Sequence, residues 1–136
     1  MHRMRAFSTF VATGVLLSLL NSAALATTCF APPPFKPIRR ICGVVFFRSG
    51  DKISNAQVLV LQGDKEIAAQ QTNPDGKFLF EGLKAGNYEI RVRVEGFGDA
   101  YSKIVLAHPE KKTNRELAVN ISPSGSCSSI SLVKSK

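Results

Sequence analysis

From residue 41 onward the chain reads as short apolar runs broken by Gly, Asn and Asp. Segments 41–47, 56–61, 66–72, 77–80, 88–94, 102–106 and 116–121 are each four to seven residues long, which is strand length. The segment at 88–94 shows the pattern most plainly. Tyr88, Ile90, Val92 and Val94 fall on one side, and Glu89, Arg91, Arg93 and Glu95 on the other. A period of two with one charged face places one side in a core and the other in water. Phe78 and Phe80 repeat the pattern, as do Leu117, Val119 and Ile121. Within 56–61, Ala56, Val58 and Val60 are expected inside, leaving Leu59 and Leu61 outside. No segment holds a 3.6-residue apolar period long enough for a core helix, and no internal repeat is visible. Seven short strands with frequent turn signals predict an all-β sandwich.

The turns support that expectation. Asn73-Pro74-Asp75-Gly76 sets Pro where φ near −65° is needed, and Asp75 and Gly76 where the chain must reverse. The same residues do not make a calcium loop, which needs alternating oxygen ligands and a closing bidentate acid. Ser49-Gly50-Asp51-Lys52 separates the first two strands in a similar way.

Before residue 41 the text changes. Arg3 and Arg5, an apolar run from Phe10 to Leu20 and the small-x-small site Ala24-Leu25-Ala26 predict a secretory signal peptide cleaved after Ala26. The run is too short for a permanent span. Cys29 follows closely, but Thr28 and Ala26 stand where lipidation of an N-terminal Cys wants other residues. Pro32, Pro33, Pro34 and Pro37 make residues 27–40 an extended arm. The expected organisation is therefore signal peptide 1–26, Pro-rich arm 27–40, sandwich 41–122 and a Ser-rich C-terminal tail 123–136 carrying Cys127.

Charge and cysteine content narrow the function. The 136 residues carry 18 Lys+Arg against 10 Asp+Glu, a net +8, of which +6 remains once residues 1–26 are removed. The basic residues are scattered without interleaved aromatics, so nucleic acid is not an expected partner. Contact with a membrane is expected only through the signal peptide or weak electrostatics. Export makes Cys29, Cys42 and Cys127 disulfide material. Cys42, on a rigid strand, is the favoured partner for Cys127. Cys29–Cys127 comes next and Cys29–Cys42 last.

Some of these residues form an ordered motif. Gly43-Val44-Val45 and Ser54-Asn55-Ala56 lead to the turn ending in Asp75-Gly76, then Phe78-x-Phe80, Gly82-Leu83-x-x-Gly86-x-Tyr88, the alternating strand, and Gly96-Phe97. This series resembles the carboxypeptidase regulatory-like domain, a transthyretin-like (prealbumin-type) β-sandwich. The resemblance implies a seven-stranded Greek-key sandwich and a non-catalytic module. The residues carry the same reading physically. Gly82 and Gly86 allow a tight crossing between sheets, Leu83 plugs one end, and Tyr88 buries its ring while its hydroxyl finds backbone.

Catalysis is not expected. His108 is the only histidine after residue 26 and precedes Pro109 in a Lys-rich loop, unpaired in sequence with any nucleophile. The cysteines lack metal-ligand spacing, and no cofactor is expected. One feature invites a partner. Segment 41–47 is apolar on both faces, with Ile41, Val45 and Phe47 on one side and Val44 and Phe46 on the other. With Leu59 and Leu61 these make a candidate interaction surface. The chain's own arms (Phe30, Phe35, Ile38; Ile130, Leu132, Val133) are the favoured cover, and a partner protein at the cell envelope the alternative. A protein-binding accessory module, secreted or periplasmic, is the favoured function. The alternative is a carbohydrate-binding module of the starch-binding-like kind, for which Tyr101 and Phe97 are the available platform and a glycan the ligand. Asn120-Ile121-Ser122 matches a glycosylation sequon.

Overall fold

The computed structural model describes residues 37–107 and 115–135. The signal peptide, Cys29, Phe30, Phe35 and His108 lie outside these residues. The described residues form eight strands: β1 (Ile41–Phe47), β2 (Gln57–Gln62), β3 (Lys65–Gln71), β4 (Lys77–Phe80), β5 (Gly86–Arg93), β6 (Ala100–Leu106), β7 (Arg115–Ile121) and β8 (Ser129–Lys134). They make two four-stranded sheets, β3-β2-β5-β6 and β4-β1-β7-β8. Three hairpins (β2–β3, β5–β6, β7–β8) stay within a sheet, and the other connections cross between sheets.

The seven expected strands are all present, with ends shifted by one or two residues. The eighth is a correction, because β8 occupies what was read as a Ser-rich tail. Polar Ser129 and Ser131 hide its period of two, yet Ile130 is buried, Leu132 packs on the core, and the strand pairs with β7 from Arg115↔Lys134 to Asn120↔Ser129. A strand on a half-solvated sheet needs only its inward residues apolar.

The core lies between the sheets. Val58 and Val60 of β2 and Ile90 and Val92 of β5 meet Ile41 and Val45 of β1 and Leu117, Val119 and Ile121 of β7, all buried. Phe78, Phe80 and Tyr88 are buried with them, and Leu83 packs against the cluster, as the motif implied. The Tyr88 hydroxyl donates to the Lys84 carbonyl. Gly82 takes φ 74°, whereas Gly86 has an ordinary backbone and room for a Cβ. The crossing therefore needs only Gly82.

Gly43 is required for another reason. β1 runs parallel to β7, pairing Gly43↔Leu117 through Phe47↔Ile121, and antiparallel to β4 on its other side. A Cβ on Gly43 would stand 2.1 Å from the Leu117 carbonyl oxygen. Thr72 closes the strand ends nearby. Its buried hydroxyl donates to Ile53 O at 2.6 Å and accepts from Ala56 N–H at 2.9 Å.

Leu59 departs from the expected exposure. It faces away from the core cluster but is only 5% exposed. Its register neighbours are Ala69 and Arg91, and Arg91 is held along the sheet by Glu89 at 2.9 Å. An arginine stem pinned in this way supplies apolar cover.

Gly43→Ala is expected to destabilise the fold by about 3 kcal/mol, because backbone rather than a flexible side chain must yield. Urea unfolding checks this, and a midpoint unchanged from wild type would refute it.

Candidate interaction surface

The outer face of sheet β4-β1-β7-β8 follows from the strand registers. Cys42 lies between Leu79 and the Glu116 position, Val44 between Lys77 and Ala118, and Phe46 beside Asn120. Val44 and Phe46 are half-buried, and Leu79 and Val133 are among the exposed large apolar residues. Lys52 sets its ammonium 5.3 Å from the centre of the Phe46 ring, a cation–π distance. A groove of about 390 Å³ opens between this face and β3, lined among others by Arg40, Cys42, Val44, Lys77, Leu79 and Glu116. Its rim is more basic than acidic.

Of the arm residues expected to cover this face, Phe30 and Phe35 lie outside the described residues and Val133 stands on the face beside Glu116. Ile38, Ile130 and Leu132 all turn into the core between the sheets. Leu59 and Leu61 do not extend it either, because β1 and β2 belong to different sheets. The single surface drawn from Val44, Phe46, Leu59 and Leu61 is corrected to two faces pointing in opposite directions. Adjacency in sequence misled here, since the connection from β1 to β2 crosses the sandwich.

Two side chains close the β4 edge, Asn73 of the expected turn and Gln70, which the sequence did not single out. The Asn73 side-chain oxygen accepts from Asp75 N–H at 3.0 Å and Lys77 N–H at 2.9 Å, building the turn. Gln70 Oε1 accepts from Leu79 N–H at 2.9 Å. Gly76 takes φ 72°, and a Cβ there would meet the Val45 carbonyl oxygen at 2.5 Å. Asp75 is exposed. With the Lys77 and Leu79 amides occupied, β4 offers little to an added strand. Asn73 signals its role as the first residue of the turn. The Gln70 contact is long-range and leaves no sequence signal.

The serines of the supposed tail form a second tie. Ser122 N–H donates to Ser128 Oγ at 2.9 Å, and Ser128 Oγ donates to Gly98 O at 2.7 Å. Gly98 N–H donates to Ser122 O, and Ser124 Oγ to Gly96 O, both at 3.0 Å. The β7–β8 turn, which carries Cys127, is thereby fixed to the β5–β6 loop. Gly96, with φ 80°, sits in that loop.

This placement overturns the favoured disulfide. Cys42 is a free, half-buried thiol. It lies five residues before Phe47, the position paired with Ile121, so it is on the order of 16 Å up the strand from the turn holding Cys127. A disulfide spans Cα atoms only about 4.4–6.8 Å apart. Burial, then the Glu116 carboxylate, raise the Cys42 pKa, and Arg40 opposes them.

The sugar platform also weakens. Phe97 packs against the core with its ring 4.9 Å from that of Phe47, and Tyr101 is half-buried opposite Arg91 on the other sheet. Asn120 lies inside β7 with its side-chain oxygen buried and unpaired among the described residues. The sequon is thus part of a strand rather than a surface loop. No group of three or more metal-ligating side chains occurs among the described residues.

Residues 40–120 match the carboxypeptidase regulatory-like domain, which is more than half of the chain. The chain belongs to this family. It is also similar in structure to 5-hydroxyisourate hydrolase of Klebsiella pneumoniae, with a TM-score of 0.52 and 18% identity, covering 75% of this chain and 97% of that one. At that identity the likeness is one of fold, and the fold is transthyretin-like. Over 57 residues the chain is 35% identical to the pyrogallol hydroxytransferase small subunit of Pelobacter acidigallici. That match covers 42% of this chain and 20% of the subunit's length.

Because the folded environment disfavours the Cys42 thiolate, alkylation by iodoacetamide at pH 8 is expected to be slower at Cys42 in the folded protein than in the denatured chain. The rate should climb only as pH passes above the ordinary thiol range. Equal rates in the two states would refute this.

Proposed function

We propose that this domain is an exported, non-catalytic protein-binding module, and that the outer face of sheet β4-β1-β7-β8 is its contact surface. The observation that carries the reading is the row of Val44, Phe46, Ala118 and Leu79, apolar and left uncovered by the described residues. Arg40, Lys52 and Lys77 flank it. The complementary partner is a protein surface with apolar residues bordered by carboxylates. Such an arrangement steers encounter by charge and gains affinity from the buried centre. The non-catalytic half is supported by where the polar side chains go: Thr72, Tyr88, Ser124 and Ser128 all hydrogen-bond to backbone and hold the fold. Export rests on the N-terminal signal pattern of residues 1–26, and in that setting Cys127 pairs with Cys29. Cys42 being free supports that pairing.

A photo-cross-linking residue placed at Val44, in cells producing the protein, is expected to capture an acidic protein of the envelope fraction. The same residue at Lys103, on the opposite face, is expected to capture none. Lys77→Glu, an exposed charge reversal, should lower capture about ten-fold without changing thermal unfolding. Equal capture from both faces, or none from either, overturns the assignment of the face. Acceleration of 5-hydroxyisourate hydrolysis by the purified chain overturns the non-catalytic half. Separately, the exported protein should begin at Thr27, which N-terminal sequencing checks; an intact Met1 start in the envelope fraction would refute cleavage.

A further inference from the structure

The groove beside β4 is edged by side chains that can give hydrogen bonds more than take them. Gln70 commits its side-chain oxygen to Leu79 N–H at 2.9 Å, and Asn73 commits its own to Asp75 N–H at 3.0 Å and Lys77 N–H at 2.9 Å. What each amide keeps in hand is its NH2 group, a donor. Arg40 and Lys77, both exposed and both lining the groove, carry donors only. Neither has an ion-pair partner among the described residues. The acid in the lining, Glu116, accepts from Ser135 Oγ at 2.6 Å. Unspent donors and positive charge therefore surround a volume of about 390 Å³ whose floor includes Val44 and Leu79.

The two cations are set apart along β1. Lys77 stands level with Val44 in the β1–β4 register, and Arg40 lies four residues before Val44, a separation on the order of 13 Å. Between those levels the outer face offers Leu79 opposite Cys42. We propose that the groove binds an extended acidic peptide segment of the partner, in which two carboxylate side chains four residues apart bracket one apolar side chain. In an extended chain alternate side chains point the same way, and the first and fifth residues are roughly 13 Å apart. One carboxylate meets the Arg40 guanidinium, the other meets the Lys77 ammonium, and the middle residue rests on Leu79. The pattern is acidic–x–apolar–x–acidic, and it fits in either chain direction. Side chains hold the segment, because the Lys77 and Leu79 amides that a strand would pair with are already occupied.

A second copy of this chain is not the occupant. Its own match to the pattern is Glu95-Gly96-Phe97-Gly98-Asp99. There Phe97 packs on the core against the Phe47 ring, Asp99 is paired with Arg93 at 3.0 Å, and Gly96 at φ 80° breaks the extended path. The segment therefore belongs to a different protein. The inference rests on the reading of this face as the contact surface, and it adds the conformation, charge and spacing of what is bound there. Two cations held apart over an apolar floor select for spacing as well as for charge, because a segment with its acids closer together can engage only one of them.

The test titrates the purified full chain with the peptide acetyl-Glu-Ser-Leu-Ser-Glu-amide and follows backbone amide chemical shifts. The Val44 and Leu79 amides should shift saturably, while the Lys103 amide on the opposite face stays where it is. Gln in place of either peptide Glu should weaken binding about ten-fold, and so should Arg40→Gln or Lys77→Gln in the protein, each removing one charge-assisted contact. The losses should be coupled one to one. In Lys77→Gln one peptide Glu no longer matters and the other still does, and in Arg40→Gln the roles exchange. The peptide acetyl-Ser-Glu-Leu-Glu-Ser-amide, with the same charge at closer spacing, should bind more weakly. Both protein variants should keep the wild-type urea midpoint, since both side chains are exposed. No shift at Val44 and Leu79, equal affinity for the Gln peptides, or the same loss from both peptide ends in both variants overturns the proposal. Capture at Val44 in cells without binding of the peptide sinks the proposal and leaves the functional reading standing. Binding of the peptide as stated without capture in cells does the reverse.

Discussion

The sandwich depends on the parallel pairing of β1 with β7. Five consecutive residue pairs join them, from Gly43↔Leu117 to Phe47↔Ile121, and they lie at the middle of their sheet with β4 outside one and β8 outside the other. Such a pair brings together segments some seventy residues apart, so its loop entropy is met only when both sheets are assembled. The approach is close enough that the Leu117 carbonyl occupies the space of a side chain at position 43. Once it is made, Ile41 and Val45 enter the core, and Val44 and Phe46 are committed to the outer face by the strand's alternation. The proposed contact surface is a consequence of that geometry: a central strand apolar on its outer side cannot hide those residues by itself.

What could be read from the residues is what local periodicity encodes. The charged–apolar alternation of β5 is complete from Tyr88 to Arg93, and its inward positions Tyr88, Ile90 and Val92 are all buried. The same holds for β7. The turn at Asn73–Gly76 was also legible, since proline and glycine there restrict the backbone within four residues. The illegible parts are those decided by partners distant in sequence. β8 looks like a polar tail until β7 is placed beside it, because only Ile130 and Leu132 report its buried face. Leu59 reads as exposed until the β2–β5 register sets it beside Arg91. Val44 and Leu59 read as neighbours until the chain is seen to cross between sheets after β1. Among the candidate site residues Val44 and Phe46 could be put on one face by the alternation of β1 alone, whereas Gln70 at the β4 edge had no local mark at all.

Each sheet edge is treated differently, and the differences share a logic. β4 has its free amides occupied by side-chain oxygens of Asn73 and Gln70. β3 carries a register irregularity opposite Val60 and Leu61, with Lys65 and Glu66 exposed beside it. β6 receives Ile38. Bulges, charges and covering segments are the devices by which sandwiches avoid pairing edge to edge. Three of the four edges are therefore engaged or blunted within the described residues, and β8 is the least modified.

That distribution bears on how such a domain can contact anything. Strand addition needs a run of unoccupied backbone groups, and the edge nearest the groove, β4, has lost them. What the same region retains is side-chain surface: Val44, Leu79 and the Phe46 ring, with Lys52 and Lys77 beside them. A partner approaching there meets a face rather than a ladder, and must match it by shape and charge instead of by backbone pairing. Affinity gained in this way is concentrated in a few buried apolar residues, and the charges around them tune rate and selectivity. The fixed edge and the open face are then two results of one arrangement, in which Gln70 and Asn73 close the backbone and leave the side chains of β1 to be recognised.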